Sequence, residues 1–252
     1  MNSSHTRSDS VDYGGGGRDV LLIPGLGDEL TVWSPAIEAL QGRGFRPVAM
    51  DAPGIGSDEP SEWSWNEVFA GIDRVISHHD LVDPILMGHS MGGMTAVLYS
   101  AQHGSTSLVV NIDGLGVPSP AEMAALPEDE RHAMTEAVAM LAAAAEAMNS
   151  PEIAPVGALY LGTDLNACYR QATGPILVVL AERDLPGLPE EVAASMRLIH
   201  AYMTTQLHAA AGPNTHIATL PTAHYMHVEA PEALADCLRA EVDAFDDLNT
   251  RG

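Results

Sequence analysis

A serine in this chain sits where it can act as a nucleophile. Gly88-His89-Ser90-Met91-Gly92-Gly93 follows a short apolar run and precedes a stretch of small residues suited to a helix. Glycines two before and two after the serine let neighbouring backbone pass without a Cβ clash. A sharp strand-to-helix turn can then push the Ser90 hydroxyl out of a sheet and hold it exposed and immobile. The bland alternative is a glycine-rich turn capped by Ser90, which the flanking strand and helix disfavour. Such a hydroxyl is a poor nucleophile at neutral pH until a base takes its proton. The chemistry therefore also needs an imidazole, a group to orient it, and donors for the oxyanion formed in acyl transfer.

The elements that must position these groups are legible as alternating strands and helices. Asp19 to Ile23, Arg46 to Met50, Pro84 to Met87, Leu108 to Gly114 and Pro175 to Leu180 are short apolar runs that end in turn residues. Thr215 to Leu220 is a candidate final strand. Continuously apolar strands separated by helical stretches predict a parallel sheet covered on both faces, an α/β fold. Helical spacing marks Trp33, Ile37 and Leu40, then Trp65 to Ile76, and finally Leu234, Cys237, Leu238, Val242 and Phe245. Between the last two buried strands lie some sixty residues without a strand signal, including the Ala- and Met-rich stretch from Glu128 to Met148. An ordinary pair of peripheral helices and a lid over a pocket are the two readings of that insertion.

Composition narrows the function classes. The 252 residues suffice for one sizeable core, and 34 acidic against 11 basic residues give a formal charge of −23. That field repels phosphate backbones and anionic membrane surfaces, so neither nucleic acid nor membrane is an expected partner. Every basic residue is Arg. Mechanisms that require a lysine amine, such as Walker phosphate cradles and Schiff bases, are thereby excluded. Cys168 and Cys237 lie far apart with no metal-ligand spacing, so neither a disulfide framework nor a metal site is expected. No signal-length apolar core or membrane-length run occurs, which leads to the expectation of a cytoplasmic protein, monomer or homodimer. The expected organisation is a flexible tail over 1–17, a core over 18–116 and 175–252, and a helical lid over 117–174.

With these residues in view, the chain resembles the α/β-hydrolase superfamily over about residues 18 to 246, in the branch with a lid between strands six and seven. The resemblance implies a mostly parallel central sheet flanked by helices and a triad in the order nucleophile, acid, histidine. On that order Asp184, in Ala181-Glu182-Arg183-Asp184 just beyond a late strand, is the expected acid; Asp113, which also follows a strand, is the alternative. The segment Ala223-His224-Tyr225-Met226-His227-Val228-Glu229-Ala230-Pro231-Glu232 resembles the family pattern G-H-x-x-H-x-E-x-P-E. His224 is therefore the expected base, with His227 as its rival.

The loop Pro24-Gly25-Leu26-Gly27 corresponds to the family's H-G-x-G, with Pro24 in place of the histidine. It implies oxyanion donors from the backbone N–H of Leu26 and of Met91. The turn Asp51 to Asp58 resembles D-x-P-G-x-G-x-S, with Asp58 at the final position. Gly25, His89, Tyr160 and Tyr225 are candidates to line the substrate site, Tyr160 and Tyr169 giving an apolar roof a few hydroxyls. His89 also suits a structural role. The resemblance implies a cofactor-independent serine hydrolase acting on an ester, thioester or lactone of a mostly apolar small molecule. Non-hydrolytic enzymes on the same scaffold, namely lyases, acyl transferases, perhydrolases and cyclisation catalysts, are the second reading, and a ligand-binding receptor-like relative the third.

Overall fold

A computed structural model describes residues 10–52, 64–104, 108–148, 159–160 and 163–251. The expected apolar runs form six parallel strands: β2 (Arg18–Ile23), β3 (Phe45–Met50), β4 (Ile85–His89), β5 (Val109–Ile112), β6 (Ile176–Ala181) and β7 (Thr215–Leu220). A short strand, β1 (Ser10–Asp12), pairs antiparallel with β3, giving the sheet order β1-β3-β2-β4-β5-β6-β7. The sheet is mostly parallel, as the resemblance implies. Its edge strand β1 comes from within the stretch expected to be a tail.

Burial on both faces explains the continuous apolar runs. Along β2, Leu21 and Ile23 join one core and Val20 and Leu22 the other, because successive side chains point to opposite faces. The first core packs against α2 (Trp65–His78), α3 (Met91–His103) and α7 (Glu190–Ala210) through residues such as Phe69, Ile72, Val97, Ile199 and Leu207. The second is closed by α1 (Ser34–Gln41) and α9 (Pro231–Arg251), with Ile37, Leu40, Leu234, Leu238 and Val242 buried. The final helix thus lies where its apolar spacing predicted.

The insertion follows β5. It contains α4 (Pro120–Ala125), α5 (Glu128–Met148) and α6 (Leu165–Gln171). Ser119 and Glu122 close a reciprocal capping box at the start of α4, and Glu122 Oε1 accepts a hydrogen bond from Asn166 at 2.7 Å, tying α4 to α6. The short α8 (Met226–Glu229) precedes α9. Among the described residues no helix is long and apolar enough to cross a membrane, and no group of side chains is arranged to hold a metal ion. Cys168 and Cys237 are free thiols.

Candidate active site

The turn at Ser90 has the strained geometry its glycines allow. Ser90, between β4 and α3, adopts φ 52° and ψ −119°, a conformation costly for a residue with a side chain and typical of functional turns. A Cβ on Gly88 would lie 2.1 Å from the Gly92 carbonyl oxygen, and one on Gly92 would lie 2.2 Å from that of Ile23. Neither position admits any other residue without moving backbone. The Ser90 N–H donates to the Ile112 carbonyl at 2.7 Å, and its own carbonyl accepts from Gly93 and Met94, so the turn is fixed on both sides.

Beside it, β5 ends in a second constrained turn. Asp113 has φ 52°, and its N–H donates to Val179 at 2.9 Å. Asn111 shapes this turn. Its side chain exchanges hydrogen bonds with both the N–H and the carbonyl of Gly114, at 2.9 and 2.8 Å, and donates to the buried Tyr169 hydroxyl of α6 at 2.6 Å.

Asp113 then reaches across the carboxyl ends of the strands. Its Oδ2 accepts from His224 Nδ1 at 2.7 Å, while Oδ1 accepts from the Ala181 N–H at 3.0 Å and from His200 Nε2 at 3.3 Å. Burial alone would raise the carboxyl's pKa, but the hydrogen bonds from His200, His224 and Ala181 outweigh it and hold Asp113 well below the usual carboxylate range. It is an anion at any working pH. With Nδ1 donating to that anion, Nε2 is the ring nitrogen not engaged by Asp113.

The carboxylate that meets His224 is thus Asp113, and the expectation for Asp184 is corrected. Beyond β6 the backbone keeps running along β7: Glu182 N–H donates to Leu220 and Arg183 N–H to Thr222. Asp184 is carried past the site to an exposed position, where its Oδ2 pairs with Arg197 of α7 at 2.7 Å. His227, the rival base, is fully buried against Trp33, and burial near two other imidazoles pushes its pKa down to about 2. It is a packing residue.

His224 is held beside the Ser90 turn through His89. The His89 Nε2–H donates to the His224 carbonyl at 3.1 Å, and the two rings lie 4.5 Å apart. His89 is 1% exposed, so it braces the site from behind and does not line it. Gly25 is placed at the turn: a Cβ there would be 3.4 Å from Ser90 Cβ and 3.1 Å from His89 Nδ1. Tyr225 lies beside His89, with ring centroids 4.9 Å apart. Tyr160 is buried, its hydroxyl bonded to Thr95 and its ring edge-on to Trp65, so its polar end is already occupied.

Met91 opens α3, and Leu26 lies in the loop after β2, next to Gly25. Among the described residues, the backbone N–H of neither has a backbone acceptor. Beyond Asp51 and Ala52, the turn through Asp58 lies outside the described residues.

Sequence reading missed three supports. His200 on α7 carries no local pattern that points to β5. Asn111, two residues before Asp113 at a strand end, offers a faint signal as a turn former. Arg183 and Glu229 brace the histidine loop: Arg183 donates to the Pro221 carbonyl at 3.0 Å and pairs with Glu229 at 2.6 Å, and Glu229 also accepts from the Ala223 N–H.

Comparison with known proteins agrees with this fold. A family model described as "Alpha/beta hydrolase family" matches residues 20–237. The AB hydrolase superfamily protein YisY of Bacillus subtilis is 33% identical over 91 residues, covering 35% of this chain and 34% of that protein. An uncharacterized protein of Mycobacterium tuberculosis is likewise 33% identical over 90 residues, and the chain spans about a quarter to a third of the length of these two relatives. Among solved structures, the enol-lactonase from Burkholderia xenovorans superposes with a TM-score of 0.65 at 20% identity, covering 93% of this chain and 95% of that one.

Proposed function

Since this chain belongs to the alpha/beta hydrolase family, we propose that it is a serine hydrolase whose triad is Ser90, His224 and Asp113. The observation that carries this reading is the 2.7 Å hydrogen bond from His224 Nδ1 to Asp113, made beside a serine held in a strained strand-to-helix turn. His224 Nε2 takes the Ser90 proton as Oγ attacks a substrate carbonyl, and the imidazolium formed is stabilised by Asp113. The backbone N–H groups of Leu26 and Met91 receive the oxyanion, the latter aided by the N-terminal dipole of α3. His224 returns the proton to the leaving group. Water, activated by the same imidazole, then resolves the acyl-serine.

The substrate is an ester, thioester or lactone of a mostly apolar small molecule. Leu26, Trp65, Val117 and Met123 pack at the edge of the core that contains Met91 and Met94, and they supply apolar walls with few polar groups. The helices described after β5, α4, α5 and α6, act as the roof of this site.

Replacing Ser90 by Ala tests the reading. Hydrolysis of short p-nitrophenyl esters and labelling by a fluorophosphonate should both vanish, and turnover at the parent rate in that variant would refute the assignment. Carrying out the reaction in oxygen-18 water adds a second check, because a hydrolase must place the label in the acid product.

A further inference from the structure

We infer that His200 is a positioning residue for the Asp113 carboxylate; this rests on the triad reading above. Asp113 has two oxygens and must present one of them to His224. Oδ2 does so at 2.7 Å, and Oδ1 is held by the Ala181 N–H and by His200 Nε2. The Asp113 side chain is only 6% exposed while that of His200 is 40% exposed, so the buried Oδ1 is bonded to a ring that itself meets solvent. In its absence water reaches Oδ1. The carboxylate can then rotate about its Cβ–Cγ bond, and the hydrogen bond that fixes the His224 tautomer loosens.

The placement of His200 is set by α7 as a whole. Ile199 and Met203 bury the helix in the core that also holds Ile176, Val178 and Leu180 of β6 and so fix its position. Arg197 and His200 stand three positions apart on one helical face. The first binds Asp184, and the second binds Asp113. One face of one helix therefore engages both candidate acids, holding one at the surface and bracing the other toward His224.

The test uses the whole chain with p-nitrophenyl butyrate and a fluorophosphonate as probes. His200→Leu removes the donor and His200→Gln retains an N–H at similar reach. The leucine variant should lose about tenfold in kcat and in labelling rate with KM unchanged, the loss expected when a transition-state interaction is weakened. The downfield proton resonance of the His224–Asp113 hydrogen bond should shift or broaden in it, and the glutamine variant should recover most of both readouts. A leucine variant with the parent kcat and an unmoved resonance overturns the inference. So does equal loss in both variants, which marks a purely structural role. Failure of the triad reading looks different: wild-type protein that is not labelled, or a Ser90→Ala variant that remains active.

Discussion

Asp113 and Asp184 are the same residue type at the ends of neighbouring strands, and their surroundings give them opposite tasks. Asp113 is buried and receives three hydrogen bonds, while Asp184 is exposed and shares Arg197 with Glu190. Substituting Asp113→Asn should lower kcat by about ten-thousand-fold, because an amide no longer selects the productive tautomer of His224. Asp184→Asn should leave ester hydrolysis at the parent rate and barely change stability, as exposed ion pairs contribute little. Steady-state kinetics of the two variants checks the assignment directly. Of the proposed triad, Ser90 was marked by its local glycine pattern and His224 by the resemblance of its segment to the family pattern. The acid was not, since choosing between the two aspartates depends on where the chain goes after β6 and on a helix that comes later in sequence.

At the scale of elements, the turn after β4 and the loop after β7 meet through a stack of imidazoles. The His89 ring lies 4.5 Å from His224 and 4.4 Å from His227. Both nitrogens of His227 are buried without a hydrogen-bond partner among the described residues, and burial drives its pKa from 6.5 to about 2; His89 shifts in the same direction for the same reason. Between those values the unfolded chain binds a proton that the folded chain refuses. For His227 stability is therefore full above the unfolded value and is lost as pH falls below it, at up to about 1.4 kcal/mol per pH unit, and His89 acts in the same direction. Urea denaturation of wild type and His227→Leu at about pH 7 and about pH 5 should show the smaller loss in the variant. Equal losses would remove His227 as the source. The strands around this stack were readable from sequence because burial on both faces leaves unbroken apolar runs. β1 was not, since Ser10-Val11-Asp12 is too short and too polar to register.

The whole molecule carries a formal charge of −23, and its arginines are largely engaged in local pairs such as Arg43 with Glu232 and Asp236 or Arg46 with Asp12 and Asp19. Those pairs lie near the surface and each contributes little, so the excess of acidic groups dominates. Raising NaCl from about 0.01 M to about 1 M shortens the screening length from roughly 30 Å to roughly 3 Å and relieves that self-repulsion. The thermal midpoint should rise by a few degrees; a fall measured by calorimetry would show that the ion pairs govern instead. Architecture at this scale was the most legible of all, because sheet, insertion and closing helix each leave a long compositional trace.

The three residues of β1 decide what that sheet offers to other molecules at its rim. With Ser10–Asp12 in register beside Met50 to Val48, the outermost strand is brief and finishes in an aspartate clasped by Arg46. A trimmed form of the protein starting after Gly17 would leave the far side of β3 as a template for intermolecular strand addition. Fusions and shortened versions are accordingly best begun upstream of Ser10, where the protective cap stays intact.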